Sequence, residues 1–193
     1  MSSTSAPHPV AGECVGTTPE QPSRCIFRSG FPSAGLVSRC RSDHDCQVGY
    51  YYGDPEKPVW FEPPPGLRTL PRPEVIWHEA TFAEARFACG PDCHVSYFFE
   101  AKRRRLSPPR EQVLDVDMRR LLAAQVDGRA IAVRQIFSGR EVARIERDWA
   151  PGSLESALAA VHFDPDGRLT LTWLRGSDRQ PITERLSIPS LPR

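Results

Sequence analysis

The chain has 193 residues, a formal charge of +1 and 39% hydrophobic residues, which is enough for one domain, or one domain with an attached subdomain, around a substantial core. So balanced a charge gives no basic field for holding nucleic acid or anionic lipid, and the longest apolar runs are a few residues, too short for a transmembrane helix. Proline supplies 20 residues, about twice the usual ~5%, and argues for loops and strand ends against long helices.

The N-terminus, Met1-Ser2-Ser3-Thr4-Ser5-Ala6-Pro7-His8-Pro9, has neither a charged n-region nor an apolar h-region, so it is not a signal peptide. It resembles the small, polar, Pro-containing tether that follows the lipidated cysteine of mature bacterial lipoproteins, with Met1 in place of that cysteine. The alternative is an ordinary disordered terminus. Residues 1–13 are assigned to this tether.

Residues 1–73 hold 12 of the 20 prolines, with clusters at Glu62-Pro63-Pro64-Pro65-Gly66 and Leu70-Pro71-Arg72-Pro73, and four of the six cysteines. Proline has no ladder donor, so residues 14–73 are expected to be a loop-rich, disulfide-pinned subdomain without a central sheet. Within it Gln47-Val48-Gly49-Tyr50-Tyr51-Tyr52 and Val59-Trp60-Phe61 flank the turn residues Gly53-Asp54-Pro55 and are expected to pair as a hairpin. Three consecutive tyrosines cannot all face inward on a strand, so at least one is expected to be exposed. The aromatics Tyr50, Tyr51, Tyr52, Trp60 and Phe61 then read either as filler of a small core or as rigid contact area for a partner. Ser42-Asp43-His44-Asp45-Cys46 reads as a solvated turn, or as an acid–base or metal site.

From residue 74 to 193 three meander units follow one another, each strand, turn, strand, turn, strand. The first joins Trp77-His78-Glu79 through Cys89 to Cys93 through Phe99 across the corner Gly90-Pro91-Asp92, and ends on the basic run Lys102, Arg103, Arg104 and Arg105. That run is either a charged strand edge that discourages sheet-to-sheet association or a docking patch for an acidic surface. The second unit runs through strands at 113–117, 121–126, 130–136 and 142–147, the third through strands at 159–163, 169–174 and 182–188. Asp127-Gly128 and Asp166-Gly167 supply two-residue hairpin turns. Alternation puts Leu169, Leu171 and Trp173 on a core face and Thr170, Thr172 and Leu174 on a wet one, and likewise opposes Ile131, Val133, Gln135 and Phe137 to Ala132, Arg134 and Ile136. Ser153 to Ala160 predicts one or two helical turns with Ser153 as N-cap. The expected fold is mainly β: antiparallel meander units forming a sandwich or an incomplete propeller-like assembly, beside the Pro-rich, disulfide-pinned N-terminal subdomain.

The cysteines fall in local pairs, Cys14 with Cys25, Cys40 with Cys46 and Cys89 with Cys93, although six cysteines permit 15 connectivities. Three disulfides place the chain in an oxidising compartment. The competing reading is a reduced protein with a zinc site drawn from His44, Cys46, Cys89, Cys93 and His94, but the spacings match no ribbon or finger. No Gly-x-Ser-x-Gly elbow, metalloprotease helix, phosphate loop or dinucleotide fingerprint is present, and Asp164-Pro165-Asp166-Gly167 lacks the remaining ligands of a calcium loop. No metal or cofactor is expected.

The region from Phe87-Ala88-Cys89-Gly90 through Ser177-Asp178, with Val113-Leu114-Asp115-Val116-Asp117, Ile145-Glu146-Arg147-Asp148 and Leu171-Thr172-Trp173-Leu174-Arg175-Gly176, resembles exported envelope proteins of Gram-negative bacteria that carry no catalytic motif. Some small disulfide-bearing periplasmic lipoproteins of this kind are immunity proteins that neutralise type VI secretion effectors, phospholipase D-type lipases among them. The resemblance covers about half the chain and its motifs are structural. It implies a periplasmic inhibitor, not an enzyme, with a lipid anchor in the precursor as a candidate feature, which occludes a secreted toxin such as a phospholipase by a large specific interface. The alternative from a different class is an envelope hydrolase or carbohydrate-binding protein using Asp43, Asp45, Asp115 or Asp117.

Overall fold

The computed structural model describes residues 12–16, 23–64, 69–90, 93–176 and 178–189. Most of the tether, the tip Pro91-Asp92, Pro65-Gly66 and Ser177 lie outside the described residues. The chain divides into two compact units, residues 1–109 and 110–193. Both are mainly β, and the described residues hold seventeen strands and one four-residue helix.

The first unit is two antiparallel sheets around one core. Strands β1 (Glu13–Val15), β2 (Ser23–Arg28), β3 (Ala34–Ser42), β4 (Asp45–Tyr52) and β5 (Val59–Trp60) form a meander in chain order. Strands β6 (Glu74–Glu79), β7 (Phe82–Gly90) and β8 (Cys93–Glu100) form the second sheet, with β9 (Arg105–Leu106) paired to β8. Cys25, Phe27, Leu36 and Val48 of the first sheet meet Val75, Ala85, Phe87, Val95, Tyr97 and Phe99 of the second in one apolar cluster. The unit boundary lies after Pro109 instead of at 73, because the Pro-rich segment and the first meander share that cluster, and neither has a closed core alone. The N-terminal segment does build a sheet: among the described residues Pro32, Pro55, Pro58, Pro63 and Pro64 all fall between strands, which leaves β2, β3 and β4 uninterrupted. The expected hairpin of β4 with β5 forms, with Tyr50 opposite Val59 and Gly49 opposite Trp60.

The second unit opens with β10 (Arg110–Glu111) and continues as the meander β11 (Val113–Asp117), β12 (Leu122–Asp127), β13 (Ala130–Gln135) and β14 (Glu141–Ile145). A second sheet is β15 (Leu158–Phe163), β16 (Arg168–Arg175) and β17 (Gln180–Ser187). Leu122, Ile131, Val133 and Ile145 face Leu169, Leu171 and Trp173 across the core, with Trp149 and Trp173 edge to face at 5.1 Å. The third meander alternates as read, Leu169, Leu171 and Trp173 buried and Thr170, Thr172 and Leu174 partly exposed. The expected wet face of β13 is not wet. Ala132 and Ile136 are fully buried, and the Arg110 guanidinium lies at that strand's end, donating to the Ile136 carbonyl at 2.9 and 2.7 Å. Helix α1 (Leu154–Ala157) is a single turn capped by Ser153, whose Oγ accepts from the Ser156 N–H at 3.2 Å. Leu158 to Ala160, read as its continuation, belong to β15 instead. Ala157 is the last residue of α1 to be buried, and from Leu158 the backbone is extended and pairs with β16. At the end strand β17, Pro181 and the inward Glu184, bonded to Arg147 at 2.8 Å, discourage edge-to-edge pairing.

The cysteines pair as expected: Cys14–Cys25, Cys40–Cys46 and Cys89–Cys93, with sequence separations of 11, 6 and 4. The first two pairs lie directly opposite each other across antiparallel strands. The three bridges fit an oxidising compartment, extracellular or periplasmic. No helix among the described residues is long and apolar enough to cross a membrane. Native protein should therefore show no titratable thiol. Closing such short loops contributes about 2 to 3 kcal/mol each on the chain-entropy model, so complete reduction should lower Tm substantially. Two or more cysteines titrating without denaturant would contradict the pairing.

Candidate partner-binding surface

The two groups of residues proposed for recognition are far apart in sequence but meet in the first unit. Tyr50 and Tyr52 lie on the core-facing side of β4. Tyr50 stacks on Phe99 at 5.4 Å, and Tyr52 lies edge-on to Tyr50 at 5.9 Å. Both are half-buried, so each ring keeps an accessible margin. Val59, opposite Tyr50 across the strand pair, is 55% exposed, an unusual position for a branched apolar side chain. Beside them runs the turn of residues 101–104 between β8 and β9. The Arg104 guanidinium sits 4.8 Å over the Tyr52 ring, and the Tyr52 hydroxyl donates to the Ala101 carbonyl at 3.3 Å. Arg104 adopts the left-handed backbone region, φ 51°, which turns its side chain back over β4.

The basic run is not a uniform charged edge. Glu100 accepts from the Arg105 Nε at 3.0 Å and pairs with Arg103 at 3.5 Å, while Lys102 stands exposed. Four cations against one carboxylate leave the turn clearly positive. Burial pushes the Tyr52 hydroxyl up to about 12, with the neighbouring Tyr50 adding to the rise and Arg104 opposing it, so Tyr52 is a neutral donor throughout the physiological range.

The other aromatics are placed differently. Phe61 is 6% exposed and stacks on Tyr97 at 4.9 Å, so it belongs to the core. Tyr51 points to the opposite face of β4, as alternation requires, yet is only 2% exposed. It lies across Gly35, where a Cβ would meet the Tyr51 hydroxyl at 2.9 Å, in a shallow recess with Arg28, Phe31, Pro32 and Ser33. The expectation of an exposed tyrosine therefore fails, because the second face of the sheet is covered as well. Trp60 lies on that second face with Arg39 stacked 5.3 Å over its ring, at the rim of a concavity of about 550 Å³.

The carboxylates of the hydrolase alternative are engaged in structure. Asp43 pairs with Arg72 at 2.9 Å, and Asp45 lies 4.0 Å from Arg41 beside the Cys40–Cys46 bridge. Asp115 accepts the Phe163 N–H at 2.6 Å, tying β11 to β15. Asp117 caps the following turn by accepting from the Arg119 and Arg120 N–H groups at 2.9 and 3.1 Å and from the Arg120 Nε at 2.6 Å. At the Asp164–Asp166 turn the Arg185 guanidinium bonds to both carboxylates, at 2.7 and 3.2 Å, in the place a cation would take. Of the candidate zinc ligands, Cys46, Cys89 and Cys93 are committed to disulfides.

One constellation has no counterpart in the sequence reading. Glu84 is 1% exposed in the middle of β7. It accepts from Ser96 Oγ at 2.6 Å and Arg86 Nε at 2.9 Å, and its other oxygen lies 2.9 Å from His78 Nε2. Burial alone would raise its pKa; the His78 hydrogen bond, the Arg86 charge and the Ser96 hydroxyl outweigh burial and hold it at about 2. The Ser96 hydroxyl is bonded to the carboxylate and not to His78, so this is a stabilised buried anion and not a nucleophilic relay. The available signal was a lone glutamate within the apolar run Phe82-Ala83-Glu84-Ala85, on the strand that follows His78.

No family model, no curated protein and no solved structure matches the chain.

Proposed function

We propose that the protein is an immunity-type inhibitor held in the periplasm, lipid-anchored in its precursor, that neutralises a secreted antibacterial effector enzyme by stoichiometric binding and occlusion. The observation that supports this reading is the convergence of Tyr50, Tyr52 and exposed Val59 with the cationic turn of Lys102, Arg103 and Arg104. Rigid aromatic margins with few rotamers to freeze, bordered by long-reaching cations, are the composition of an interface anchor. The platform is preorganised, because the tyrosines pack on Phe99 and the strands beneath them are tied by Cys40–Cys46, so little ordering entropy is lost on docking. The charge selects a partner surface that presents carboxylates around an apolar side chain. A phospholipase of the type VI secretion class is the leading candidate for that partner.

Inhibition should titrate to an endpoint set by the protein ratio and independent of incubation time. An interface of standard size, about 1,600 Å², with nanomolar Kd is the scale expected for the complex. Activity of a candidate effector, encoded beside this chain, measured against increasing inhibitor at two incubation times, decides it. Loss of activity that deepens with time at fixed ratio, or multiple turnover of an envelope substrate by the purified protein, would replace the inhibitor reading with an enzymatic one.

A further inference from the structure

The three disulfides sit in different surroundings. Cys40 and Cys46 are 3% and 2% exposed, and Cys25 is 7% exposed within the first core; Cys14, its partner, is exposed on β1. Cys89 is exposed and Cys93 half-buried, at the outer end of the β7–β8 hairpin. Thiol–disulfide exchange needs an accessible sulfur to attack and a leaving thiolate that its surroundings can hold. Attack on Cys14 would expel a thiolate into the apolar cluster around Cys25, where the charge is poorly solvated and the sulfur is a poor leaving group. Cys40–Cys46 offers neither an accessible sulfur nor a solvated leaving group. Cys89–Cys93 offers both.

The hairpin does not depend on this bridge for its register. From Phe82 opposite Glu100 to Ala88 opposite His94 the ladder is continuous, and Phe87, Val95 and Tyr97 are fixed in the core. With the bridge open, the ladder would keep the two thiols near each other for re-closure.

We propose that Cys89–Cys93 is a reversible thiol–disulfide exchange site that accepts two electrons from a dithiol reductant while the other two bridges stay closed. One thiolate of the dithiol attacks the exposed Cys89 Sγ, the Cys89–Cys93 bond breaks, and Cys93 leaves as a thiolate that takes a proton from water. The second thiolate of the donor then attacks its own sulfur in the mixed disulfide. That step expels the Cys89 thiolate, which is protonated in turn, and the donor departs as a cyclic disulfide. The inference is independent of the inhibitor reading, since it concerns this chain alone.

The test uses the full oxidised chain and dithiothreitol as the dithiol, with samples quenched by alkylation over time and the labelled cysteines identified by peptide mass mapping. Labels should appear on Cys89 and Cys93 at least about tenfold faster than on the other four cysteines, and the doubly labelled protein should keep a cooperative melt. Replacement of the reductant by oxidised glutathione, which accepts the two electrons, before alkylation should restore the unlabelled form. The variant Cys89→Ser/Cys93→Ser should fold and show no labelling over the same interval. Labelling that begins at Cys14, Cys25, Cys40 or Cys46, simultaneous labelling of all six, or failure of the double serine variant to fold would each overturn the proposal.

Discussion

Replacing Glu84 with glutamine should remove a distinct part of the acid sensitivity of the fold. The carboxyl titrates at about 2 in the folded chain against an ordinary 4.5. Above pH 4.5 it is ionised in both states and its full contribution to stability is present. As pH falls from about 4.5 towards 2 the unfolded chain takes up a proton that the folded chain refuses, so this stability is progressively lost. A difference of this size is worth about 3 kcal/mol on the linkage relation, and Glu84 is buried enough that solvent screens little of it. Glu84→Gln keeps the volume but has no proton to take up. The gap in unfolding free energy between the native chain and this variant should therefore be large and constant from pH 7 to 5 and should close below 4.5. Glu84→Ala is expected to be worse, by about 3 to 5 kcal/mol at pH 7, since it leaves Arg86 and the Ser96 hydroxyl without their acceptor. Denaturant unfolding at pH 7, 5, 4 and 3 checks both. Curves for the native chain and Glu84→Gln that stay parallel down to pH 3 would show that the fold does not lower the Glu84 pKa.

The Glu84 network also marks how far sequence reasoning reached. Period-two alternation identifies β11 and β16 to within a residue, because Val113-Leu114-Asp115-Val116-Asp117 and Leu169-Thr170-Leu171-Thr172-Trp173 lie between clear turn signals. It misleads where both faces of a strand are covered. Val37 and Ala132 are fully buried although neighbours in their own strands already face a core, Ile136 is buried just beyond the end of β13, and Tyr51 is hidden on the face that alternation assigns to solvent. Strands β2 and β3 are not legible from a proline count over the segment; what matters is where each proline falls, and those of the described segment lie between strands. At the candidate surface both halves, the tyrosines and the basic run, were legible as residue types. Their meeting was not, since Tyr52 and Arg104 are brought together by the packing of two sheets, a contact between residues some fifty positions apart that no local pattern encodes. Glu84 escaped for the same reason, as its partners come from β6, β7 and β8.

The surface makes a second large prediction, on binding instead of stability. Val59 and Arg104 are both exposed, and neither fills the core, so Val59→Asp with Arg104→Glu should leave unfolding within about 0.5 kcal/mol of the native chain. Against an effector presenting carboxylates around an apolar side chain, the pair reverses one charge and adds another at the centre of contact. Binding should weaken by at least about 2 kcal/mol, roughly 30-fold in Kd. The two parts of the surface separate kinetically. Lys102→Glu with Arg103→Glu, at the rim, should slow association and flatten its dependence on ionic strength, while Val59→Asp alone should act on dissociation. Tyr51→Ala is the contrast: its side chain is buried, so it should cost stability, about 3 kcal/mol on the scale of large core truncations, before it reports anything about recognition. Trp60→Ala probes the opposite face of the same sheet, where Arg39 covers the indole. Surface-plasmon measurements on the five variants, with melts of each, distribute the interface between the two faces. If Val59→Asp/Arg104→Glu binds as tightly as the native chain while Trp60→Ala does not, the effector docks on the Arg39–Trp60 concavity and the tyrosine–arginine seam is only part of the fold's packing.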